Sequence, residues 1–485
     1  MRFSPITEER FNSYFYGRTP YVRLFSTEIE WFEFGCDNTI LLATMIRCEI
    51  DKDFNAIILG RDLRRKFRAI DIIVSRSSRE ELLAELDGHI DELFASHVDG
   101  HFPQGDEAHQ PFTLFTHRLP PEKRNHILQL LTEDPDYFPA RVIMEELAYW
   151  FEDPDGKFIR AMQGNEFNSR LFELYLHAMF YELDFQFDRT HPHPDYLLTK
   201  AGRIVAVEAV TVAEMEHAHG QGAVMNEAEL ERLRCHIELE MPFRFARTLR
   251  KKVSHRPKPA GLAYWELPHT EGHPFVIAVH DYSRTLSMSF SEPALRSLLY
   301  GVVIHEKQIF QIERHESDGK TISSNFFDHE DNKHVSAVLL ATQATLPKFN
   351  RMGRIAGLRS PTTFAYVHGI RTNAEGEPRP FEALVEHPQY KEFWHEGVFL
   401  YHNPNAITPL DPELFPHVVH VSMDGNGMNE YMPPNYTVMS TTQMVRLDPD
   451  QVERIWQDMD RQQETGTGKG EFRAPLDEST GMSFA

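Results

Sequence analysis

The chain has 485 residues, a net charge of −23, 41% hydrophobic and 12% aromatic residues, enough apolar material for more than one core and unlike a disordered chain. It has no run of about 18 apolar residues, so no transmembrane helix is expected, and its first residues, MRFSPITEERFNSYF, lack the apolar stretch of a secretory signal; a cytoplasmic location is expected. Cys36, Cys48 and Cys235 are too widely spaced for a disulfide framework or a cysteine zinc site, and the acidic balance argues against broad binding to a duplex, favouring a local basic patch or a protein partner.

Residues 1–117 read as a separate N-terminal α/β domain, for recognition or assembly. Segments 28–34, 40–50, 55–62 and 67–75 have strand composition, DKDF at 51–54 is a turn, and 78–97 carries leucines at helical spacing. Glu28, Glu30 and Glu33 read as a solvated strand face. The Pro- and Gly-rich stretch 103–120 reads as a linker open to proteolysis. Helices at 122–133 and 139–152 form a helical connector over 118–154, the second with proline at its first position. The largest unit is 155–410, with a C-terminal extension at 411–462 and a tail at 463–485 whose turn formers predict disorder.

The chemistry-bearing residues cluster early in that largest unit. In 164–185, Phe172, Leu176, Met179 and Leu183 recur at helical spacing, and Glu173 and His177 share another stripe. A short strand, FQFDR, follows the helix. DYLL and RIVAVEAV flank TKAG, a turn with a glycine free to take positive φ, and so predict a β-hairpin. Folding it brings Asp195 and Glu208 nearly opposite each other, away from the turn. Glu208 lies in an apolar strand, where an ionised carboxylate needs a partner. Two hairpin carboxylates and a third from a packed helix make an oxygen-rich site suited to Mg²⁺ or Mn²⁺. Strands are expected at 273–282, 334–342 and 397–404, with a helix at 291–302 between the first two, giving a mostly buried mixed sheet flanked by helices.

The ordered set of Phe172–Glu173 on a helix, Pro194–Asp195 and then Glu208 resembles the PD-(D/E)xK superfamily of restriction-endonuclease-like nucleases. The resemblance implies a multidomain α/β protein whose central mixed sheet is a nuclease core. It also implies metal ligation by Asp195, Glu208, Glu173 and the Ala209 carbonyl, and hydrolysis of a phosphodiester, in DNA rather than RNA, as in restriction or phage defence. The family's lysine is replaced by Val210. A relocated cation is expected from His177, Lys200, Arg250, Lys251 or Lys252, with His177 and Lys251 preferred. Arg250 and Lys252, in the basic run RTLRKK, and Lys348 and Arg351, in KFNR, are the expected phosphate contacts. Two rival readings stand beside this one. One is a metallohydrolase using His191, His193, His217 and His219, though HPHP and EHAHGQG read more simply as solvated loops. The other is a catalytically inactive module of the same fold that binds nucleic acid or a protein partner.

Overall fold

The computed structural model describes residues 3–465 apart from 37–38, 98, 108–111, 117, 154–155, 215–226, 307 and 426. The chain is mixed α/β, with one large mixed sheet and several smaller ones. At the N-terminus, β1 (Ser4–Ile6), β2 (Ser26–Cys36), β3 (Thr39–Cys48), β4 (Phe54–Arg61) and β5 (Phe67–Arg76) form an antiparallel meander in sequential order. The central strand β3 is apolar on both faces. Leu41, Ala43 and Met45 pack under helix α1 (Arg79–Ser96) with Leu82 and Leu86, and Leu42 packs on the other side with Phe11, Tyr14 and Phe67. The three strand glutamates are each paired rather than bare: Glu28 with Arg18, Glu30 with Arg79, Glu33 with Arg10.

This sheet leans on α2 (Phe138–Trp150), where Arg61 bridges to buried Glu146 at 2.6 Å and Phe15 meets the Trp150 ring edge-on. Helices α2 and α3 (Phe167–Glu182) share one apolar cluster, which covers one face of the large sheet. On the opposite face lie α4 (Met241–Ser254) and α5 (Glu292–Tyr300). On the first face, α6 (Leu346–Ile355) packs tightly on α2, since a Cβ at Gly353 would stand 2.5 Å from the Pro139 carbonyl oxygen.

The large sheet has eight strands: β6 (Gln186–Asp188), β7 (Tyr196–Lys200), β8 (Arg203–Val212), β9 (Phe275–Asp281), β10 (Val335–Ala341), β11 (Val398–His402), β12 (Val419–Asp424) and β13 (Gly427–Tyr431). They run in order from β6 at one edge to β13 at the other. β8, β9 and β10 are mutually parallel, as are β11 and β12, and the other pairs are antiparallel. The chain between β8 and β9 crosses over through α4, as a parallel pair requires. β9 and β10 are buried along their whole length. The last two strands come from the stretch read as a C-terminal extension.

A three-stranded sheet sets Thr363–Thr372 between Pro378–Leu384 and Thr437–Arg446, and α7 (Pro449–Thr465) lays Val452, Trp456 and Met459 on it. The expected tail thus begins inside a helix, and its part from 466 lies outside the described residues, as do 108–111 and 117 of the expected linker. The described part of that linker is tied down. The Gln163 side chain donates to the Leu114 and Thr116 carbonyls at 2.8 and 2.9 Å and accepts from the Arg118 amide at 2.8 Å.

Candidate functional site

The β7–β8 hairpin closes on Ala201 and Gly202, with φ of 49° and 73°, the positive pair that a two-residue turn between twisted strands demands. Its register runs from Lys200 opposite Arg203 to Tyr196 opposite Val207, so Asp195 falls beside Glu208 where regular pairing ends. Side chains continue the ladder there: the Asp195 amide donates to Glu208 Oε2 at 3.2 Å, and the Ala209 amide donates to Asp195 Oδ2 at 2.8 Å. A strand residue points its N–H and C=O to the same side, so the Ala209 carbonyl also faces the open space past the end of β7. Val205, Val207 and Ala209 belong to the cluster under α3, whereas Ala206 and Val210 belong to the cluster under α4. Glu208 therefore shares its face with Val210 and looks toward α4.

The remaining Glu208 oxygen, Oε1, accepts from Lys252 Nζ at 2.5 Å and from the Tyr264 hydroxyl at 2.7 Å. Lys252 comes from the last turn of α4, whose Leu249 and Val253 are buried against the sheet. A residue three positions after Leu249 lies on the same side, which turns Lys252 inward and leaves Lys251 exposed. Behind Asp195, Arg189 donates to its backbone carbonyl at 2.6 Å, with the guanidinium 4.3 Å from the Tyr196 ring centre.

Glu173 and Glu208 both feel the Asp195 carboxylate. Burial, then repulsion from Asp195, pushes Glu173 up to about 8, although Arg170 holds its oxygens at 2.9 and 3.0 Å. The same two causes push Glu208 up to about 7 against the pull of Lys252. Burial works against the Lys252 charge, but Glu208, Asp195 and Glu173 outweigh it and raise the ammonium above its ordinary value. Lys252 thus answers Glu208, and Arg170 answers Glu173. Among the described residues no three or more His, Cys, Asp or Glu side chains converge as a ready-made metal cage. Asp195, Glu208 and the Ala209 carbonyl are nevertheless oxygen donors of the kind that could hold a hard divalent cation.

The other expected residues lie elsewhere. His177, a preferred cation, is buried between Phe151 and Phe187, with Arg189 donating to its Nδ1 at 3.5 Å. Burial and then Arg189 hold it well below the ordinary histidine range, so it is neutral and cannot replace a lysine. Lys251, the other preferred cation, points away from the carboxylates into solvent. Lys200 donates to the Leu414 carbonyl at 3.0 Å. Arg250 is exposed on α4 and makes no side-chain bond among the described residues.

The KFNR reading is corrected. Lys348 and Arg351 are 0% and 1% exposed, both paired with buried Glu392 at 2.7 and 2.6 Å, where no phosphate backbone reaches. Their helix is amphipathic with cations on its buried side, and the partner that explains them is over 40 residues away in sequence. Tyr264 and Arg189 were not anticipated, and nothing in their local sequence marks them. His191 stacks on His269 at 3.7 Å, His193 offers its carbonyl to His269 at 2.7 Å, and His217 and His219 lie outside the described residues. No helix among the described residues is long and apolar enough to cross a membrane. Compared with protein-family models, curated proteins and solved structures, the chain matches none.

Proposed function

We propose that the chain is a Mg²⁺- or Mn²⁺-dependent nuclease with a restriction-endonuclease-like core, cleaving phosphodiester bonds of DNA. The observation that carries this reading is Lys252 Nζ, 2.5 Å from Glu208 on the face that Val210 shares. The cation missing from β8 is supplied by the helix packed over it. The rest of the order supports the same reading: α3 bearing Glu173, then Asp195 at the start of β7, then Glu208 on β8.

Mg²⁺ or Mn²⁺ held by Asp195, Glu208 and the Ala209 carbonyl would supply positive charge at the scissile phosphate. Lys252 presents an ammonium beside Glu208, where it can orient a water and stabilise the charge that develops on the phosphoryl oxygens. Tyr264 fixes the shared Glu208 oxygen, and Arg189 fixes the Asp195 backbone, so both acids are positioned before substrate arrives. The test is cleavage of single- and double-stranded DNA by purified protein with Mg²⁺ or Mn²⁺. Asp195→Asn and Glu208→Gln are each expected to abolish it, and persistent cleavage in either variant overturns the assignment.

The same ion pair favours a second reading. Lys252 neutralises Glu208 without any metal, as it would in a silent module that keeps the fold for binding alone. Calorimetric titration with Mn²⁺ separates the two. Binding to the wild type that is lost in both variants supports the enzyme. No binding, together with a loss of roughly 3–5 kcal/mol in Glu208→Gln, identifies a buried structural pair.

A further inference from the structure

A cleft of about 760 Å³ lies beside the carboxylate–lysine site, on the other side of the end of α4. The two are joined through packed rings. Tyr264, which holds Glu208, stacks on Phe275 at 5.6 Å, and Trp265, which lines the cleft, meets Phe275 at 5.7 Å. The basic stretch 250–256 serves both: Lys252 enters the site, while Arg250 and Arg256 line the cleft. Trp265 and His334 are stacked in parallel inside it, with centroids 4.9 Å apart and planes 5° apart, and the Arg256 guanidinium lies 5.7 Å from the Trp265 ring. Glu330, paired with Lys333 at 2.7 Å, and Asp331 also line it.

The cleft thus gathers cations at and just beyond the end of α4, the Trp265–His334 stack, and carboxylates. A ligand that combines an anionic group, a planar ring and hydrogen-bond donors matches these groups. We infer that it takes one unstacked nucleotide of a single-stranded nucleic acid, with phosphate on Arg250 and Arg256, base continuing the Trp265–His334 stack, and amino or imino groups of the base toward Glu330 and Asp331. A duplex does not fit this arrangement, because its bases are already paired and its second phosphate row would meet the carboxylates. The inference deepens the nuclease reading, and it rests on that reading only for the chemistry that follows binding.

The test is fluorescence anisotropy of labelled single-stranded DNA, single-stranded RNA and duplex DNA with the full chain in EDTA, alongside Mn²⁺ calorimetry. Either single strand is expected to bind about ten-fold or more tighter than the duplex. His334→Ala and Arg250→Gln, both at exposed positions that tolerate change, are each expected to weaken single-strand binding about ten-fold. Trp265→Phe retains a platform and should keep most of it. Mn²⁺ binding should be unchanged in all three variants. Equal or tighter binding of duplex, or wild-type binding of single strands by both His334→Ala and Arg250→Gln, overturns the inference. Because Mn²⁺ binding reports on Asp195 and Glu208 alone, it can fail while the cleft behaves as described, and the reverse, so the two proposals fail separately.

Discussion

At the residue scale the site depends on one ammonium reaching across from another element. On the proposed nuclease reading, Lys252→Met will lower cleavage by about two orders of magnitude or more, measured as single-turnover rate, because it removes the charge proposed to act on the transition state. Lys251→Met, pointing to solvent, will change it less than about two-fold. Val210 shares the Glu208 face, so adding Val210→Lys to Lys252→Met will restore measurable cleavage; a double variant no better than the single one would mean that the two positions are not equivalent. The raised acids set a pH dependence. Glu173 sits at about 8 and Glu208 at about 7, against 4.5 for a free glutamate. Over that interval the folded state keeps protons that the unfolded chain has lost, so these groups make stability fall as pH rises from about 4.5 to about 8. Glu173→Gln will remove the upper part of that fall, read from melting temperatures between pH 5 and pH 9. An unchanged slope would place the dependence in other groups.

At the element scale, what could be read in the sequence was local. The period of α3, the β7–β8 hairpin with its Ala201–Gly202 turn, and the near opposition of Asp195 and Glu208 all follow from spacing within 45 residues. The basic run RTLRKK was legible as a source of cations, but the choice between Lys251 and Lys252 needs to know which face of α4 is buried. Buried cations were misread for the same reason: nothing within KFNR announces Glu392. That network gives a stability prediction. Glu392→Gln leaves Lys348 and Arg351 buried without the carboxylate they share and will cost about 3–5 kcal/mol in urea unfolding, with Mn²⁺ affinity unaltered. Between β11 and β12, His402 donates to His420 Nδ1 at 2.9 Å, and His420 donates from Nε2 to the Phe415 carbonyl. Burial, then His420, lowers His402 to about 4, so its neutral form is the folded one. Its contribution is lost as pH falls from about 6.5 toward 4, and His402→Gln will flatten that part of the acid limb.

At the scale of the whole molecule the charge of −23 and the basic stretch 250–256 act together. If the cleft takes a single strand as inferred, few phosphates are held, and affinity will fall with salt at a log–log slope of only about −1.4, as expected for two contacts. A slope much steeper than this would require a longer cationic track than Arg250 and Arg256 provide. The stretch read as an exposed linker is held by Gln163 instead, and Gln163→Ala will speed proteolysis within 112–118.

The division of the carboxylates from their lysine has a consequence for inheritance. Glu208 and Lys252 are 44 residues apart on separate segments, joined only in the folded chain. An insertion or deletion between β8 and α4 changes where the ammonium arrives without altering either acid, and a substitution at Lys252 leaves β8 as apolar as before. On the proposed nuclease reading, a lineage can therefore lose or regain the reaction by changes at or before Lys252 that leave the sequence of the sheet unaltered.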